Sequence, residues 1–260
     1  MNFERIRNRK RKESLLCLLL CCFCFMCLLH PLPAAASTGV TQEKLAKGTK
    51  FETTLYVIES GKKGPTVLIT GGVHGNEPAG YKAAEKLTDE KISCGTLLVL
   101  PNANEIAIEK NLRAPNSTGN LNRKFPTGAN GSAEGTLAKA ILSVMKEYDV
   151  DWVIDLHEGI DYAGRDSSSS VGQSVIYYPS GKAKSAAERI VNALNQNIST
   201  SYRKFQLLKY PAKGSLARAG AVVCGANSMI VETCTRDKLQ TRIDRQLKAV
   251  EVVLDMAGIK

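Results

Sequence analysis

The sequence predicts an α/β protein: a mixed, largely parallel twisted sheet with helices on both faces. Three observations carry this. Short apolar runs rich in β-branched residues alternate with amphipathic helical patterns from residue 54 to the C-terminus. The chain has 260 residues, of which 43% are hydrophobic, enough to bury a sizeable core. The sparse chemical residues fall where apolar strands end, the place where sheets of this class keep their functional groups.

Taken in order, residues 54–59 and 66–70 read as strands joined by the Gly/Pro turn 60–65. Residues 77–91 read as a helix and 95–100 as a strand. Residues 132–148 are helical, with Ser132 as N-cap and Leu137, Ile141, Val144 and Met145 on one face. Strands follow at 151–156 and 175–178, and a helix at 183–195. Past a Gly-rich stretch at 214–225, residues 228–232 form a buried strand and 239–256 a closing amphipathic helix.

The N-terminus has a different character. Six Lys and Arg lie between Arg5 and Lys12, ahead of an unbroken apolar run at 15–29. Fifteen helical residues span about 22 Å, short of a bilayer core of about 30 Å. With Ala34-Ala35-Ala36 as a small-residue exit, residues 1–36 read as a signal peptide cleaved before Ser37. An uncleaved anchor is the alternative, and through it alone would the chain meet a membrane. The expected location is extracytoplasmic, with residues 37–260 as a single catalytic domain.

Five of the eight cysteines sit in the apolar run, so Cys94, Cys224 and Cys234 are too few to staple the domain. Six of the 35 basic and two of the 25 acidic residues lie in 1–36, which leaves a net charge of +6 for the rest. The basic residues are scattered without interleaved aromatics, which excludes a nucleic-acid partner. A mild positive excess suits an anionic substrate.

Only two histidines lie beyond residue 36, each at a strand exit beside carboxylates: His74 in GGVHGNE and His157 in DLHEG. His74-x-x-Glu77, at the start of a predicted helix, puts an imidazole and a carboxylate on adjacent turns. His157 completes a His2Glu set, which leaves a catalytic zinc an open position. Asn111-Leu112-Arg113 and the loop N-L-N-R-K-F-P at 120–126 offer amide and guanidinium groups for an anion. Glu232 ends an apolar strand, where a carboxylate needs a partner or a task; beside a metal it is placed to take a proton from water. Glu158 is the next candidate for that base.

The ordered set GGVHGNE, R…NLNRKFP, DLHEG and VET resembles the zinc carboxypeptidase superfamily, and within it the succinylglutamate desuccinylase and aspartoacylase branch. The resemblance implies a zinc carboxypeptidase-like fold and one Zn2+ per chain, held by His74, Glu77 and His157. It implies Asn122 and Arg123 as readers of a substrate carboxylate, Arg113 as the group polarising the scissile carbonyl, and Glu232 as general base and acid. The implied activity is hydrolysis of an amide next to a free carboxylate, as in deacylation of N-acyl amino acids. A metallocarboxypeptidase acting on peptides or cell-wall stem peptides is the alternative, and a zinc-retaining binding module a third reading. Relatives in that branch usually have Asp where this chain has Asn120, as an orienting partner of a metal-bound imidazole. Tyr178 and Tyr210 are the candidates for a tyrosine over the substrate.

Overall fold

A computed structural model describes residues 38–117, 119–165 and 169–260. Residues 1–36, which the sequence reads as a signal peptide, lie outside these residues. Among the described residues eight strands form one sheet in the order β1-β2-β4-β3-β5-β8-β6-β7. They are β1 (Thr38–Leu45), β2 (Thr53–Ser60), β3 (Thr66–Thr70), β4 (Thr96–Leu100), β5 (Trp152–Gly159), β6 (Ser174–Tyr177), β7 (Gln206–Lys209) and β8 (Asn227–Cys234). The centre, β4-β3-β5-β8, is parallel. β2 joins β4 and β6 joins β8 antiparallel, and β1 closes one edge as a hairpin with β2. The mixed, largely parallel sheet is therefore as expected.

Among the described residues six helices accompany it: α1 (Pro78–Glu85), α2 (Glu105–Glu109), α3 (Gly135–Glu147), α4 (Ala183–Asn195), α5 (Leu216–Cys224) and α6 (Leu239–Ala257). Strand alternation divides the core in two. Val67, Ile69, Trp152, Ile154, Leu156 and Val231 pack with α1, α4 and α6 on one face. Leu68, Leu98, Leu100 and Val153 pack with α3 and α5 on the other. β5 and β8 lie centrally and are buried almost throughout, which fixes their register against each other: His157 pairs with Glu232.

Several predicted bounds change. The helix expected over 77–91 stops at Glu85, where the Lys86 and Leu87 amides tighten onto Ala83 and Ala84. Ser132 does not cap α3; the helix starts at Gly135 with Glu134 at the cap position. The Gly-rich stretch contains α5, whose Gly220 lets the helix lie against Val153: an added Cβ there would sit 2.7 Å from Val153 Cγ2. β1, β7 and α2 had no prediction. Cys94, Cys224 and Cys234 are free thiols. No helix among the described residues is long and apolar enough to cross a membrane.

Candidate active site

His74 and Glu77 lie in the turn between β3 and α1, rather than on adjacent turns of a helix as the spacing suggested. The glycines of this turn have local causes. Gly72 has φ +69, and a Cβ on Gly75 would collide with the Ala107 carbonyl of α2. Glu77 is the residue before α1, with Pro78 opening the helix. His157 comes from β5, one strand over.

All three side chains are buried and converge. His74 Nδ1 lies 2.8 Å from Glu77 Oε1, and His157 Nδ1 lies 2.7 Å from Glu77 Oε2. The two rings meet at 63° with centroids 4.8 Å apart. His157 Nε2 donates to Asp155 Oδ2 at 2.8 Å, and Asp155 also accepts from Thr70 Oγ1 at 2.7 Å. Asn120 Oδ1 accepts the Asn122 amide at 3.0 Å, which identifies it as the oxygen, and lies 3.1 Å from His74 Nε2. Both Nε2 protons therefore have acceptors, and in the neutral rings both Nδ1 lone pairs face the Glu77 carboxylate. Lone pairs facing an anion ask for a cation between them. Two imidazoles and a carboxylate with ligand atoms within 4.8 Å of one another match a divalent metal site.

With no cation between these groups, a proton on His157 takes its place and the charges of the centre follow from it. Burial favours neutral Glu77, but the charge of His157 and the imidazole hydrogen bonds hold it well below the ordinary carboxylate range. Burial works to lower the pKa of His157 too, yet the carboxylates of Asp155 and Glu77 raise it well above the usual imidazole value. His74, with an amide rather than a carboxylate behind it, is pulled down by burial.

Glu232 stands beside His157 across the β5–β8 register and is 8% exposed. Burial pushes its carboxyl up to about 8, with His157 opposing and Glu77 adding to the rise. Glu158 is not a rival base. It points to the opposite face of β5, where its carboxylate accepts the Ala79 amide at 2.8 Å and pairs with Arg242. That pairing ties the start of α1, and so Glu77, to β5.

Arg113 lies in the loop after α2, held to the His74 turn by the Gly75 amide on the Leu112 carbonyl at 3.0 Å. Its Nη1 is 2.5 Å from Glu77 Oε1 and its side chain is half exposed. Asn122 and Arg123 occupy the 3-10 turn Leu121–Arg123. Asn122 is buried, accepts the Leu216 amide at 3.0 Å and brings its Nδ2 within 3.5 Å of His157 Nε2. Arg123 is exposed beside it and donates to the Asn122 carbonyl at 2.6 Å. All seven predicted residues thus gather at one end of the central strands. Tyr178 and Tyr210 do not. β6 runs antiparallel to β8, with Ser174 opposite Glu232, so Tyr178 sits about 13 Å along the sheet. It stacks there on Tyr210 and Arg218.

Sequence reasoning missed Thr70 and Gln246. Gln246 of α6 is buried and donates to the carbonyls of His157 at 2.8 Å and Val231 at 3.3 Å, bracing both strands behind the site. A buried glutamine on the apolar face of a helix was the available signal.

Residues 63–256 match the model of the succinylglutamate desuccinylase/aspartoacylase catalytic domain. A curated N-alpha-acetyl-L-2,4-diaminobutyric acid deacetylase of Halomonas elongata is 37% identical over 108 residues, which is 40% of this chain and 31% of that protein. Among solved structures, the product-bound ectoine utilization protein EutE (DoeB) of Ruegeria pomeroyi superposes with a TM-score of 0.64 at 22% identity, covering 88% of this chain and 70% of that one. The mDAP-bound form of Helicobacter pylori Csd4, a D,L-carboxypeptidase, gives 0.64 at 20% identity, covering 76% of this chain and 52% of that one. The chain thus spans about a third of the curated relative and about half of Csd4.

Proposed function

The chain belongs to the succinylglutamate desuccinylase/aspartoacylase catalytic-domain family, and on that premise we propose that it is a zinc-dependent hydrolase cleaving an amide next to a free carboxylate, with N-acyl amino acids as substrates. The observation that carries this is the meeting of His74, Glu77 and His157 with both Nδ1 atoms turned inward, and Glu232 one strand away.

Zinc, when bound by these three residues, would polarise the amide carbonyl and make a neighbouring water acidic. Glu232 takes that water's proton; its buried setting, which lifts the pKa towards neutrality, suits a group that must accept a proton and return it to the leaving amine. Arg113 swings from Glu77 to the carbonyl oxygen and stabilises the charge developing there, an effect of about 3–4 kcal/mol for a well-placed donor. Asn122 and Arg123 hold the free carboxylate, the guanidinium by two parallel charge-assisted bonds. Asp155 and Asn120 keep the rings turned so that Nδ1 faces inward.

The leader-like N-terminus motivates two further readings: that the enzyme works outside the cytoplasm, and that peptides or cell-wall stem peptides are the substrates of a metallocarboxypeptidase. The deacetylase relative favours deacylation. A zinc-retaining binding module would have no use for a base at Glu232. Zinc quantification with mass spectrometry of products from N-acyl amino acids, free peptides and peptidoglycan fragments tests all three. Stoichiometric zinc with release of the acyl group supports the proposal. Cleavage of peptides alone replaces deacylation, and zinc without any turnover leaves the binding module.

A further inference from the structure

Beside the histidine centre, a separate cavity of 220 Å³ opens where α3 begins. Leu121 and Lys124, at the two ends of the turn that carries Asn122 and Arg123, line it together with Glu134, Gly135, Thr136 and Leu137 of the α3 start, and Asn104.

Two independent features point to a ligand. The first is the helix terminus. α3 has 13 residues, yet Glu134 at the cap position makes no side-chain hydrogen bond to the first turn, and that turn has no acidic residue. The amides of Gly135, Thr136 and Leu137 precede the first intrahelical bond, and the helix dipole adds positive potential there. The second is Asn104, which is 1% exposed. Its Oδ1 caps α2 by accepting the Ala107 amide at 3.2 Å, and its Nδ2 is buried with no hydrogen-bond partner. Buried amide donors almost always have an acceptor. Both features present N–H groups, and Lys124 adds a full positive charge. The carboxylate of Glu134 works against these at the rim.

We infer that this cavity binds a small oxyanion, held by the first-turn amides of α3, Asn104 Nδ2 and Lys124. An anion there presents several acceptor oxygens to these N–H groups, as at other helix N-termini. The inference does not depend on the proposed hydrolysis.

The probe is inorganic phosphate, titrated into the full chain at constant ionic strength with chloride as the balancing ion. Thermal unfolding reads binding, and amide hydrogen exchange reads its location. The wild type should show a saturable rise in Tm, with exchange slowed at Thr136 and Leu137. Asn104→Asp keeps the acceptor that caps α2 but replaces the donor with a negative charge, so it should fold and weaken phosphate by about tenfold or more. Glu134→Gln removes the opposing charge and should tighten phosphate several-fold. Arg123→Ala should leave the response unchanged. No saturable response in the wild type would overturn the inference. So would unchanged affinity in both Asn104→Asp and Glu134→Gln, and a response lost with Arg123→Ala would assign the phosphate to the carboxylate-reading site instead.

Discussion

Replacing Glu232 with Gln should stabilise the metal-free protein, by an amount that grows with pH. The side chain is 8% exposed and burial lifts its pKa from 4.5 to about 8. A folded-state pKa above the unfolded one means that the native protein holds the proton longer. This contribution to stability is intact below the unfolded value and is lost as pH rises through the folded value. Within that window each pH unit costs about 1.4 kcal/mol. At pH 7, two and a half units above 4.5, the wild type should have lost about 3 kcal/mol, and at pH 8 about 4 kcal/mol. Gln fills nearly the same volume and does not titrate, so the variant loses none of this. Urea unfolding of both proteins with a chelator present, at pH 5, 7 and 8.5, measures the gap. It should open by several kcal/mol across the series at constant m-value. A gap that stays constant, or narrows with pH, would refute the assignment of Glu232 as a carboxyl kept neutral by burial. The same variant should retain zinc and lose turnover, the loss falling on kcat.

The remaining groups of the site have their own expected outcomes. His157→Ala should remove zinc and activity together, whereas Asp155→Asn, which keeps an acceptor for Nε2 without its charge, should weaken zinc by roughly 10–100-fold; atomic absorption after dialysis against a graded chelator distinguishes them. Asn120→Asp should restore negative charge behind His74 and tighten zinc by up to about tenfold, read by competition with a chromophoric chelator. Comparison of a free-acid substrate with its amidated form should show strong discrimination in the wild type and little in Arg123→Ala, while Arg123→Lys keeps the charge but not the fork and should still lower kcat/KM. Equal wild-type rates on both forms would remove the carboxylate-reading role.

Much of the fold was legible because its strands are apolar and β-branched: β3, β4, β5 and β8 are buried runs that read as strands at any register. The misses have physical causes. β1 is polar and exposed almost throughout, so no apolar pattern marks it; pairing with β2 alone makes it a strand. α5 is rich in Ala, a strong helix former, but Gly214, Gly220 and Gly225 in and around it obscured the pattern; Gly220 lets the helix lie close against Val153. α1 ends early because the tight turn at Lys86 and Leu87 outweighs the helix propensity of residues 88–91.

By itself the sequence determined the chemistry available and its order along the chain. Two histidines at strand exits, a carboxylate three residues on, a guanidinium-rich loop and a lone glutamate ending a buried strand are local patterns, and local patterns survive without a fold. Only the tertiary structure decided which of these groups meet. Side-chain alternation along β5 turns His157 to the site and Glu158 to the back, where Arg242 neutralises it. The β5–β8 register brings Glu232 beside His157, while the antiparallel course of β6 carries Tyr178 away. Asn120, a plain loop amide in the sequence, becomes the acceptor that sets which nitrogen His74 turns inward. Such relations depend on strand direction and register, which are fixed by burying both faces of the sheet at once and are written in no single segment.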